Sequence, residues 1–274
     1  MSLPWPFFSL RPGGMKDRLI FALDVGSLTE AQEYVSLLVG EVGLFKVGKQ
    51  LFLHAGPPVI KAVRDRGGEV FLDLKFHDIP QTVARAGVEA TRLGVMMFDL
   101  HASGSLEMMR RTVTEVNRVC RAEGLRRPRT LAVTVLTSLS SEDLKRTGVM
   151  AGVENQVVRL AKLAKRAGMD GVVASALEVR RIRRECGRKF VLVVPGVRPA
   201  GAAWDDQKRV LTPPEAMRAG ADYVVVGRPI RDAANPREAA RRIVSEMQRG
   251  VLSLERGGVG LLRKSFGRYR IAFA

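Results

Sequence analysis

The sequence predicts an α/β fold, a (β/α)8 TIM barrel in a single domain. Eight short apolar runs lie between residues 19 and 227, each followed by an amphipathic stretch, the sequence form of parallel strands covered by helices. The runs are rich in Val, Ile, Leu and Phe and barely alternate with polar residues, which implies burial on both faces of the sheet. A chain of 274 residues accommodates one barrel of about 250 residues with short additions.

In chain order, strands are expected at residues 19–25, 44–48, 70–75, 95–101, 130–136, 171–175, 190–195 and 223–227. Helical spacing of apolar residues marks 29–39, 57–66, 82–93, 105–123, 155–167, 178–186, 214–219 and 236–248. Most of these open on Ser, Thr, Asn or Pro and close near Gly, which are helix start and stop signals. An open, doubly wound sheet would concentrate its ligand loop after the first strand. Here loops with polar chemistry follow several strands, as expected at the mouth of a barrel. Residues 1–14 have no periodicity, and Met15 stands just before the first strand, so they read as an upstream extension or a non-native remnant outside the fold. The barrel domain is placed at 15–249. Residues 250–274 mix Gly, Arg and aromatic residues and read as a basic C-terminal tail.

Composition narrows the function classes. With 46% hydrophobic and 27% charged residues, the chain has the balance of a soluble protein with a substantial core. Cys120 and Cys186 lie far apart without a CxxC pattern, so neither a disulfide framework nor a zinc site is indicated and a cytoplasmic location is expected. His54, His77 and His101 show no helical metal-pair spacing, and no metal is assigned. His77 is expected to hold its loop by hydrogen bonds. No apolar run approaches membrane-spanning length. The formal net charge of +17 would concentrate phosphate-bearing ligands and could also favour nucleic acid. Much of it lies in helical stretches, at Arg180, Arg181, Arg183 and Arg184 and at Arg237, Arg241 and Arg242, which read as solvated outer faces. No nucleic-acid module is recognisable, and that partner is not expected.

The chemistry concentrates in the third strand, Val70-Phe71-Leu72-Asp73-Leu74-Lys75, and its continuation Phe76-His77-Asp78-Ile79-Pro80-Gln81-Thr82. Residues two apart on a strand face one way, so Asp73 and Lys75 are aimed together at the barrel mouth. Charges in a partly dry cleft must pair. Asp78 offers a second carboxylate, and opposite charges favour protonated Lys75, a proton donor rather than a nucleophile. A structural ion-pair network closing the barrel top is the alternative.

This segment resembles the signature of the orotidine 5′-phosphate decarboxylase family. The similarity extends through Leu23-Asp24, Phe45-Lys46-Val47-Gly48, Leu136-Thr137-Ser138, Pro195-Gly196-Val197-Arg198-Pro199, Asp205-Asp206-Gln207-Lys208-Arg209 and Val226-Gly227-Arg228-Pro229. The resemblance implies decarboxylation of orotidine 5′-phosphate to uridine 5′-phosphate without a cofactor. It implies that Lys46, Asp73, Lys75 and Asp78 form an alternating charge network, with Lys75 protonating C6 of the pyrimidine. It further implies a homodimer in which Asp78 and Thr82 cross to the neighbouring site. Asp24 and Lys46 would meet the ribose, and Thr137 the pyrimidine. Gln81 departs from the usual Asn of the family.

Barrels often bind phosphate with the loops after strands seven and eight. Arg198 and Gln207, then Gly227 and Arg228, occupy those loops; Gly allows close backbone approach, and Arg offers a planar fork of donors. A related sugar-phosphate barrel of the hexulose-phosphate synthase type shares the Asp-x-Lys-x-x-Asp strand but uses magnesium. Lys46 and the loop from Arg198 to Gln207 argue against it.

Overall fold

The computed structural model describes residues 14–199 and 211–265, with side chains described as far as residue 252. Eight parallel strands close into a barrel in sequence order: β1 (Leu19–Ala22), β2 (Leu44–Gly48), β3 (Val70–Phe76), β4 (Met97–His101), β5 (Arg129–Val133), β6 (Gly171–Val173), β7 (Val191–Val194) and β8 (Tyr223–Val226). Closure is made by β1 pairing with β8, Leu19 opposite Val224 and Phe21 opposite Val226. Every residue of β1, β6, β7 and β8 is buried, as the continuous apolar runs require.

The helices are α1 (Leu28–Leu38), α2 (Lys49–Ala55), α3 (Pro58–Asp65), α4 (Pro80–Arg92), α5 (Leu106–Glu123), α6 (Ser141–Arg146), α7 (Val153–Ala167), α8 (Val179–Cys186), α9 (Pro213–Ala219), α10 (Arg228–Arg231) and α11 (Pro236–Ser265). The predicted eight are all present. Short α2, α6 and α10 sit in loops at the carboxyl ends of strands. Of these, α6 carries a reciprocal cap, in which the Ser140 hydroxyl accepts from Asp143 N and the Asp143 carboxylate accepts from Ser140 N, two free helix-end groups satisfied at once.

Strand alternation splits the apolar core into two layers. Leu44, Phe71, Met97, Leu131, Val191, Val193 and Tyr223 fill the barrel interior. Phe21, Phe45, Val47, Phe98, Val194 and their neighbours face outward against the helices. Burying one Val, Leu or Phe contributes about 1.5–3 kcal/mol, so the outer layer, which spans most of the core, dominates cohesion. The interior layer is a floor beneath the site.

Two expectations need correction. The last helix does not stop near Gln248 but continues to Ser265, through the start of the segment read as a tail. Gly250 does not act there as a stop: a Cβ on it would lie 2.4 Å from the main-chain oxygen of Pro214, so glycine allows α11 to press against the start of α9. The arginines of α8 are also not uniformly solvated. Arg183 donates to the carbonyls of Phe190 and Gly220, each at 2.6 Å, and to Asp222 Oδ2 at 2.8 Å.

Arg183 belongs to a clasp at the amino-terminal rim of the barrel. Arg18, just before β1, donates to the carbonyls of Ala221 at 2.6 Å and Asp222 at 2.9 Å. Arg127, before β5, donates to both carboxylate oxygens of Asp170, before β6. Asp170 and Asp222 in turn accept the main-chain N–H of Thr130 and Leu192. Part of the positive charge is therefore used to tie strand starts together.

Candidate active site

The opposite rim gathers eight of the sequence-predicted residues. Asp24 follows β1, Lys46 lies in β2, Asp73 and Lys75 in β3, Thr137 after β5, Arg198 after β7, and Gly227 and Arg228 after β8. Lys46 Nζ stands 3.2 Å from Asp24 Oδ1 and 3.1 Å from Asp73 Oδ2. The other oxygen of Asp73 pairs with the ammonium of Lys75. The result is an unbroken row, Asp24, Lys46, Asp73, Lys75, alternating in sign.

Electrostatics follow from burial and pairing. Burial alone would lower the pKa of Lys46, but the carboxylates of Asp73 and Asp24 outweigh it and hold the ammonium above its ordinary value. Burial would likewise raise Asp73; Lys46, a contact with Asp99 and Lys75 reverse the effect and keep its carboxyl well below the usual range. Removing Lys46 or Asp73, the two most buried members, leaves an uncompensated charge, typically a loss of about 3–5 kcal/mol.

The backbone of β3 departs from a regular strand at this point. Leu72 pairs with Phe98 and Phe76 with Leu100, so β3 carries two more residues than β4 over the same stretch. An insertion of two preserves the facing of side chains, and Asp73 and Lys75 both line the cavity as the alternation predicts. Lys75 has φ 52°, the left-handed region that disfavours a side-chain-bearing residue. Its N–H donates to Asp99 Oδ1 at 2.8 Å instead of to a ladder carbonyl.

Two adjoining cavities open above the row. The first, about 210 Å³, is lined by Lys46, Asp73 and Lys75, by Thr137 and Ser138, and by apolar Phe71, Val133, Val135, Leu136 and Val173. The second, about 360 Å³, shares Lys46, Asp73, Pro195 and Val225 with it and adds Asp24, Arg198, Gly227, Arg228 and Arg231. Arg198 is buried. A Cβ on Gly227 would sit 3.3 Å from that of Ala22 and 3.8 Å from Asp24 Oδ2, so glycine keeps this floor low. One end is apolar with a charged wall; the other is a three-arginine bowl suited to an oxyanion.

Asp78 and Thr82 are exposed and line neither cavity in the single chain. The Asp78 carboxylate accepts from the N–H of Ile79 at 2.6 Å. Gln207 lies outside the described residues. His77 does not make the expected hydrogen bonds: among the described residues its side chain makes none, and its ring lies 5.4 Å from that of His101. Among the described residues no cluster of three or more His, Cys, Asp or Glu is placed to hold a metal.

Two residues escaped the sequence reading. Arg231 anchors the second cavity, donating to the main-chain oxygen of Asp24 at 2.9 Å and pairing with Asp232; nothing distinguished it from other surface arginines. Asp99 is 1% exposed, behind Asp73. A lone carboxylate inside the apolar run Met96-Met97-Phe98-Asp99-Leu100 was a visible signal, because an acid at a buried strand position needs a specific partner.

The model of the orotidine 5′-phosphate decarboxylase / HUMPS family matches residues 17–243. The chain belongs to this family. It is 56% identical over 232 residues to the orotidine 5′-phosphate decarboxylase of Syntrophotalea carbinolica, a match covering 85% of this chain and 95% of the relative. It is 53% identical over 233 residues to that of Geotalea daltonii, covering 85% and 97%. The crystal structure of orotidine 5′-phosphate decarboxylase from Lactobacillus acidophilus superposes with a TM-score of 0.74 at 36% identity, covering 84% of this chain and 98% of that one. The family match spans the charge row, the three arginines and Asp99, and ends within α11.

Proposed function

We propose that the chain decarboxylates orotidine 5′-phosphate to uridine 5′-phosphate and CO2, the last step of de novo UMP synthesis, without metal or organic cofactor. The observation that carries this reading is the alternating row Asp24, Lys46, Asp73, Lys75 between an apolar cavity and an arginine-lined one. A pyrimidine suits the first cavity, with Thr137 and Ser138 as polar partners. The phosphate suits Arg198, Arg228 and Gly227, with Gln207 as a further donor. The ribose then falls at Asp24 and Lys46.

In this reading the bond from C6 to the carboxylate breaks and its electron pair stays on C6. The Lys75 ammonium stabilises that charge as it develops and transfers a proton to it, leaving a neutral amine that regains a proton from water. Asp73 keeps both ammoniums fixed, so little reorganisation accompanies the reaction. The exposure of Asp78 and Thr82 supports a homodimer in which the partner subunit's Asp78 and Thr82 complete each site.

The test is conversion of orotidine 5′-phosphate with EDTA present, by wild type and by folded Lys75→Ala. Wild-type turnover, with a loss in the variant of at least the roughly 10²–10⁴-fold typical of a removed proton donor, is expected. Absence of wild-type turnover, with magnesium-dependent activity on a hexulose phosphate instead, would transfer the chain to the sugar-phosphate branch.

A further inference from the structure

Asp99 touches neither cavity, yet two features of the active site depend on it. Its Oδ1 accepts the N–H of Lys75, the residue held at φ 52°, and so stands in for the strand partner that the two extra residues of β3 have displaced. Its Oδ2 is fully buried with no hydrogen-bond donor to meet it. The neighbouring side chain that interacts with the Asp99 carboxyl group is that of Asp73.

Two carboxylates in contact at a buried position cannot both remain ionised without a cation for each. Asp73 has two, Lys46 and Lys75. Among the described residues Asp99 forms no ion pair, and in β5 it faces apolar Leu131 across the strands. The shared proton therefore belongs to Asp99, and a proton on Oδ2 turns an orphaned acceptor into a donor aimed at Asp73.

We propose that Asp99 is a positioning residue that stands as a neutral carboxylic acid in the folded protein, accepting the Lys75 N–H on Oδ1 and donating from Oδ2 to Asp73. It fixes the backbone beneath one end of the charge row and the carboxylate at its centre, without adding a third negative charge. Burial, and then the neighbouring negative Asp73, push its pKa far above the ordinary aspartate value, in agreement with that geometry.

The proposal rests on the decarboxylase reading, and two readouts separate their failures. In Asp99→Ala the acceptor and the donor are both lost; kcat is expected to fall about 10- to 100-fold, the scale of a small displacement of reacting groups, with KM changed much less. Asp99→Asn offers an acceptor and a donor in the same places with no charge, and is expected to recover most of the lost kcat. Difference infrared spectra, wild type minus Asp99→Asn, should show the carbonyl band of a protonated carboxylic acid at neutral pH, a readout independent of turnover and of whether Asp99→Ala folds. An Asp99→Asn variant as impaired as Asp99→Ala, or a missing acid band, would overturn the neutral-acid assignment. A wild type that shows the band but does not decarboxylate orotidine 5′-phosphate would sink the functional reading alone.

Discussion

Lys75 presents its ammonium from a backbone conformation that costs an ordinary residue of the order of 1–3 kcal/mol, and the strain is held by the Asp99 carboxyl from below and Asp73 at the side chain. His101 shows a related tension. Burial first, then the positive neighbours His77, Lys75 and Lys49, lower its pKa to about 4, against a smaller opposing pull from Asp73. A histidine depressed in the fold binds fewer protons than in the unfolded chain, so its stabilising contribution is complete above about 6.5 and lost as pH falls through about 4. Urea unfolding from pH 7 down to pH 4 should therefore show a shallower loss of stability in His101→Asn than in wild type; parallel curves would rule this out. Much of the residue-level chemistry was legible: Asp73, Lys75 and Asp78 stand together in one motif, and parity placed the first two on one face. Asp99 stood out as a lone acid in an apolar run, but its role was not legible, since it depends on which strand lies beside β3 and on two extra residues that no local pattern announces.

At the level of elements, apolar runs and capping residues located all eight strands and the eight covering helices, and apart from the end of α11 their ends shifted by a few residues. The strands at 19–25 and 130–136 proved shorter at their carboxyl ends, where Asp24 and Thr137 leave the ladder for the cavity rim. The end of α11 was misread because Gly250 serves packing rather than termination. The start of α5 offers a test of local strain. Ser105 caps it by accepting from Met108 N at 3.1 Å, but does so at φ 116° and ψ 162°, a region that is essentially glycine territory. Ser105→Ala keeps the strain and loses the cap, and should cost about 1 kcal/mol. Ser105→Gly exchanges the cap for relief of strain and should be at least as stable as wild type. Chemical denaturation of both variants decides, and a glycine variant less stable than the alanine one would contradict the account.

For the molecule as a whole, the proposed dimer makes a quantitative prediction. In mixed Lys75→Ala and Asp78→Ala chains, a heterodimer pairs an intact Lys75 with an intact Asp78 at one of its two sites. Random remixing of the two inactive variants should restore about a quarter of wild-type activity, because about half the dimers are mixed and each has one complete site. No recovery after confirmed subunit exchange would mean that each chain supplies its own Asp78. The arginine clasp of Arg18, Arg127 and Arg183 lies at the other rim from all of this, joined to carbonyls and to Asp170 and Asp222. What ties the strand starts together and what performs the chemistry thus share no residue. Substitutions in the lower rim are therefore expected to shift resistance to heat or salt with substrate preference unchanged, and substitutions in the upper-rim loops to change chemistry without unfastening the cylinder that carries them.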